Sequence, residues 1–142
     1  MPDTEVDDAK RGKKKPFLLF AFVAAILAYL FISGHSPDSV RKMTAADFEQ
    51  TRASNSVLVA YFTAEWCGPC KMQGPIVDKL ASRFKAGVTV GKIDVDAEPA
   101  LANSLDISSI PKIILFKGGR EVARFRGVTE EAELAKAVQN QL

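Results

Sequence analysis

Apolar residues along this chain follow three different patterns, and each predicts a different element. From Phe17 to Ile32, 16 apolar residues follow one another with no charge between them. A shorter continuous run, "VLVAYF" from Val57 to Phe62, is rich in β-branched and aromatic residues and has strand length. It predicts a central strand buried on both faces. In "KMQGPIVDKLASRFK", Ile76, Val77, Leu80, Ala81 and Phe84 recur at helical spacing, which predicts an amphipathic helix. Pro75 lies inside it, lacks an N–H and crowds the carbonyl of Lys71. A kink is expected there, eased by Gly74.

The same reading extends to both sides. "SVRKM" is a weak, brief strand. Thr44 precedes "AADFEQTRA" as an N-cap, with Asp47 three residues on. "VTVGKIDVD" reads as a second buried strand, "PALANSL" as a short helix and "KIILF" as a third strand. Gly118 and Gly119 then turn the chain into "EVARF", a fourth. Thr129, with Glu130 and Glu131, starts a last helix whose apolar stripe is Leu134, Val138 and Leu142. The order β-α-β-α-β-α-β-β-α predicts an α/β fold, a mixed central sheet flanked by helices.

Charge changes the picture at the N-terminus. Residues 1–16 hold four acids and then five bases, Lys10, Arg11, Lys13, Lys14 and Lys15. The apolar run that follows would span ~24 Å as a helix, against a hydrocarbon core of ~30 Å. Pro16, Ser33 and Gly34 extend it, and the lysines can snorkel to headgroups. A buried core helix would show a polar face, and this run has none. A cleaved signal peptide fits the charged start, but Phe31 and Ile32 stand where small residues are wanted before a cleavage site. An uncleaved transmembrane anchor remains. Five bases precede it and only Arg41 and Lys42 closely follow it, so the N-terminus is expected in the cytoplasm and the rest outside, in the periplasm of a bacterium. The expected organisation is a basic segment over 1–16, an anchor over 17–34, a linker and first strand over 35–42, and a domain over 43–142. Beyond residue 16 there are 14 basic and 13 acidic residues. That balance gives no nucleic-acid footprint.

Both cysteines lie in "EWCGPCK". A closed zinc site needs four Cys or His ligands, and the chain has two Cys and one His, His35. Haem attachment needs a His directly after the second cysteine, and Lys71 stands there. A structural staple suits an oxidising compartment, but a two-residue gap closes the shortest of loops and constrains the unfolded chain least. The redox reading has more support. The pair follows a buried strand and opens a helix, so Cys67 sits at a helix N-terminus, where unpaired N–H groups and the dipole stabilise a thiolate. Cys70 is one turn on, placed to attack a mixed disulfide. Gly68 lets a substrate backbone approach, Pro69 pre-sets helical φ, and Trp66 offers an apolar surface.

On these residues, 57–142 resemble the thioredoxin family. "EWCGPCKM" is similar to its active-site motif, and "IPKIILFKGG" to the segment where a cis-proline faces the dithiol. The resemblance implies a cis Ile110–Pro111 bond, a substrate groove at Ile110, Pro111 and Gly127, and no cofactor beyond a redox-active Cys67–Cys70 disulfide. From Trp66 to Gly127 the spacing fits without insertion, unlike the tethered thioredoxin-like proteins of cytochrome maturation. Two positions depart. Tyr61 stands where the family has a buried Asp, while the Lys partner is retained as Lys92, expected to point under the active site and to donate to the Tyr61 hydroxyl. Asp94, two residues on and on the same face of the strand, is a candidate counter-charge for Lys92 and substitute proton acceptor, beside the plainer reading of a solvated residue near a strand end, with Glu65 a more exposed candidate. Lys112 replaces a common Thr and is expected to alter the groove wall beside Pro111.

The implied activity is thiol–disulfide exchange on disulfide-containing proteins. The Gly-Pro dipeptide resembles reducing members, whose potential lies ~150 mV, or ~7 kcal/mol, below that of a strong periplasmic oxidant. A reductase outside the cytoplasm needs a membrane electron donor. An oxidase or isomerase of the same fold, and a tethered module that binds without turnover, are the alternatives.

Overall fold

The computed structural model describes residues 40–142, and Val23 alone before them. Among the described residues no helix is long and apolar enough to cross a membrane. The expected basic segment, the anchor (Val23 apart) and most of the linker lie outside them.

Among the described residues, nine elements follow the expected order. They are β1 (Arg41–Lys42), α1 (Ala45–Arg52), β2 (Val57–Thr63), α2 (Gly68–Arg83), β3 (Val88–Asp94), α3 (Pro99–Ser104), β4 (Lys112–Lys117), β5 (Arg120–Arg126) and α4 (Glu131–Gln139). The sheet order is β1-β3-β2-β4-β5. β3 runs parallel to β1 and β2, whereas β4 is antiparallel to β2 and β5. This is the mixed sheet flanked by helices that the sequence predicts.

Every residue of β2 is buried, as its continuous apolar run requires of a strand covered on both sides. Successive side chains alternate between two cores. Val59 and Tyr61 join Val77 and Leu80 of α2 and Leu134 and Val138 of α4. Leu58, Ala60 and Phe62 join Phe48 of α1, Leu101 of α3 and Phe116 of β4. Phe48 meets Phe116 edge-on at 5.3 Å, a geometry worth about 1 kcal/mol beyond its area.

Local chemistry sets the ends of the elements. Thr44 and Asp47 form a reciprocal capping box at the start of α1. Burial of neither is needed for this, since each side chain satisfies a backbone N–H of the other's residue. Gly118 and Gly119 both have positive φ, 54° and 80°, the two-residue turn that joins β4 to β5. At Gly91 a Cβ would collide with the Met43 sulfur, so the glycine makes room for the residue that follows β1.

Two boundaries differ from expectation. The last helix is capped at Glu130 without a side-chain bond, because Thr129 is buried and engaged elsewhere. Leu142 lies beyond that helix and is 65% exposed, so the apolar stripe is Leu134, Ala135 and Val138.

Candidate functional site

The site is built where β2 ends and α2 begins. Cys67 is the N-cap of α2, in extended backbone, and its Sγ accepts the N–H of Cys70 at 3.3 Å. The two are joined as a disulfide with Cα atoms 5.3 Å apart. A sulfur in the cap position faces the unpaired N–H groups of the first turn, so the same geometry stabilises a thiolate once the bond is reduced. Both cysteines are 3% exposed. In the disulfide form Cys67 is thus no more exposed than Cys70. What is exposed is its surround: Gly68, Pro69 and Trp66. No atom lies within 4 Å of where a Gly68 Cβ would be, so a substrate can come close there.

Trp66 is 70% exposed, yet its ring is fixed. Nε1–H donates to Asp96 Oδ2 at 2.7 Å, and the Asp96 N–H in turn donates to Asp94 Oδ1 at 2.9 Å. The sequence reading missed Asp96. It lies 30 residues from Trp66, and nothing in the local pattern marks it.

On the other side of the dithiol, the Ile110–Pro111 peptide is cis. Ile110 packs against Ala64, Cys67 and Cys70. Gly127, with φ +73°, donates its N–H to the Pro111 carbonyl at 2.9 Å. The structure thus brings Cys67, Cys70, Ile110, Pro111 and Gly127 together.

Beneath Cys70 lies a cavity of about 690 Å³, lined in part by Tyr61, Glu65, Lys92 and Asp94. Lys42, Lys92 and Tyr61 stand side by side across three strands. The Tyr61 hydroxyl donates to the Cys70 carbonyl at 2.8 Å, and burial pushes the phenol up from its ordinary value, against a hydrogen bond with Thr63. Tyr61 was expected to accept from Lys92 and donate elsewhere; it donates to Cys70, and among the described residues no hydrogen bond from Lys92 reaches it.

Lys92 is exposed rather than buried. The edge strand beyond it is only two residues long, and the cavity opens over this end of the sheet. No ion pair joins it to Asp94 among the described residues. The expected counter-charge role of Asp94 for Lys92 is therefore not seen, although both still line the cavity with Cys70.

Lys112 is also placed differently. It is fully buried and shares its side of β4 with Ile114 and Phe116. Its Nζ donates to the Asp106 carbonyl at 3.1 Å. Burial, then the cations of Arg126 and Arg124, hold its pKa below the ordinary lysine value.

Among the described residues no cluster of His, Cys, Asp and Glu is suited to a metal ion.

Comparisons with known proteins agree with this geometry. The family model described as Thioredoxin matches residues 39–140. A thioredoxin of Chlamydia muridarum is 43% identical over 99 residues, which cover 70% of this chain and 95% of that protein. A thioredoxin of Mycobacterium tuberculosis is 40% identical over 96 residues, 67% of this chain and 83% of that one. Among solved structures, a mutant thioredoxin from Halobacterium salinarum superposes with a TM-score of 0.67 at 33% identity, covering 75% of this chain and 93% of that one.

Proposed function

The chain belongs to the thioredoxin family of thiol–disulfide oxidoreductases, and from that premise we propose that it is a membrane-tethered member that reduces disulfides of extracytoplasmic proteins. The observation that carries the chemistry is the Cys67 sulfur at the cap of α2, accepting the Cys70 N–H. The tether and its side rest on the five bases that precede the apolar run at 17–32 and the two that follow it.

The reaction runs as two exchanges. In the reduced chain the Cys67 thiolate attacks one sulfur of a substrate disulfide. That S–S bond breaks, one substrate thiolate leaves and a mixed disulfide forms. Cys70 then loses its proton towards the cavity and attacks Cys67 Sγ. The mixed disulfide breaks, the second substrate thiolate leaves and the Cys67–Cys70 bond closes. Two electrons have passed to the substrate, and its two thiolates take up the Cys70 proton and one more from solvent. A membrane protein that passes electrons outward must then reduce the pair again.

Asp94 is the carboxylate we assign to receive the Cys70 proton, directly or through water. It lines the cavity with Cys70 and is held in place by the Asp96 N–H. Tyr61 stays neutral at physiological pH and is occupied by the Cys70 carbonyl.

The test is insulin reduction by the full chain in detergent with a dithiol reductant, followed by equilibration with glutathione. Turnover with a potential near that of reducing thioredoxins is expected. Turnover with a potential near that of a strong oxidant would convert the reading to an oxidase or isomerase. No turnover at all would leave a binding module.

A further inference from the structure

Gln73 is fully buried on the face of α2 that packs inward, three residues after Cys70 and four before Val77. Its amide makes two hydrogen bonds to one distant residue. Nε2–H donates to the Thr129 carbonyl at 3.1 Å, and the Thr129 N–H donates to Oε1 at 2.7 Å. The side chain thus pairs with the backbone at Thr129 as a neighbouring strand would. An apolar residue would fill this position without the cost of desolvating an amide. What the amide adds is the fixing of Thr129.

Thr129 ends the segment where the family resemblance puts the outer wall of the substrate groove. Two residues before it is Gly127, bonded to the Pro111 carbonyl, and between them Val128 is 41% exposed. Gly127 has positive φ, where glycine's backbone freedom is greatest. The α4 cap at Glu130 makes no side-chain bond, and the Arg83–Glu131 ion pair beyond it, at 3.0 Å, is partly exposed to solvent. Gln73 supplies a buried hold.

We propose that Gln73 is a positioning residue for protein substrates. It registers the Gly127–Val128 wall against the helix that carries the dithiol, so that an extended substrate backbone meets the groove and Cys67 together. The inference rests on the thiol–disulfide exchange activity above and not on its direction or its side of a membrane. An extended chain touches both Pro111 and the Gly127 segment, whereas a small aromatic disulfide needs only the sulfurs. Loss of the clamp therefore weakens binding of the first and spares the second.

The experiment uses the full chain in detergent, with insulin and 5,5′-dithiobis(2-nitrobenzoate) as the two disulfides. Gln73→Met keeps the volume and removes both bonds. Its KM for insulin should rise roughly three- to tenfold, the scale of one or two lost neutral hydrogen bonds, with kcat and the rate on the small disulfide within about twofold of wild type. Gln73→Glu keeps the acceptor but sets a carboxylate oxygen against the Thr129 carbonyl, and should raise KM for insulin at least as far. Val128→Ala should cost less in the Gln73→Met background than in wild type, because the wall it belongs to is already displaced. Wild-type KM for insulin in both Gln73 variants, equal losses on both disulfides, or strict additivity with Val128→Ala overturns the proposal. Absence of turnover by the wild type on either disulfide is a different result, and would end the oxidoreductase reading itself.

Discussion

Tyr61 reaches Cys70 through its backbone: the phenol donates 2.8 Å to the Cys70 carbonyl, next to the reacting sulfur but not bonded to it. The first turn of α2 is thereby tied to the central strand, one turn before Pro75, which lies inside the unbroken helix. Tyr61→Phe should keep the fold and the packing and lose about 1 kcal/mol of stability, read by denaturant unfolding. The phenol's pKa is raised by burial above its ordinary 10.0. A raised folded pKa means stability that is present below about pH 10 and lost as pH rises further, because the unfolded chain ionises first. Tyr61→Phe should lose less stability than wild type in that alkaline window, and equal losses would show that Tyr61 does not titrate between the two states.

The cap position of Cys67 orders the two exchanges. Cys70→Ser should trap substrates as mixed disulfides through Cys67, and Cys67→Ser should trap few. Equal trapping, measured on non-reducing gels after challenge with insulin, would refute the assignment.

Asp94 and Glu65 are the carboxylates among the residues that line the cavity beneath Cys70. Asp94→Asn should slow reduction of insulin several-fold at neutral pH, and Glu65→Gln much less. The gap should narrow as pH rises and Cys70 deprotonates unaided. A rate for Asp94→Asn equal to wild type from pH 6 to about 9 would leave solvent as the proton carrier.

Lys112 has its folded pKa lowered, chiefly by burial. Its contribution to stability is therefore full above the unfolded value of about 10.5 and falls as pH drops through the folded value. Lys112→Met removes that loss and should raise Tm at pH 7, with the advantage shrinking above about pH 10. A lower Tm at pH 7 would mean that the bond to the Asp106 carbonyl outweighs the burial cost.

The topology can be read with one engineered thiol. Leu142 is 65% exposed, so Leu142→Cys should react with an impermeant maleimide in intact cells if the domain faces outward. Protection of Leu142→Cys together with labelling of Thr4→Cys would reverse the orientation.

Much of this protein was determined by short-range chemistry that the sequence displays directly. The strand Val57–Thr63 is apolar almost throughout because it is covered on both faces. The Gly118–Gly119 pair turns because only glycine enters positive φ without cost. Thr44 and Asp47 cap a helix because they lie three residues apart. The dithiol, its place at a helix start and its chemistry were legible for the same reason. Gln73 also left a signal, a polar residue at the inward-facing spacing of an otherwise apolar stripe, and a polar residue there needs a partner. Which partner was not legible. Thr129 lies 56 residues away, as Asp96 lies 30 from Trp66, and no local pattern encodes such pairings. The exposure of Lys92 and the burial of Lys112 went against expectation for a related reason. Strand alternation fixes which face a side chain takes, but only the tertiary structure decides how that face is covered. Over Lys92 the edge strand is two residues long and a cavity opens, while Lys112 lies under the turn that carries Asp106.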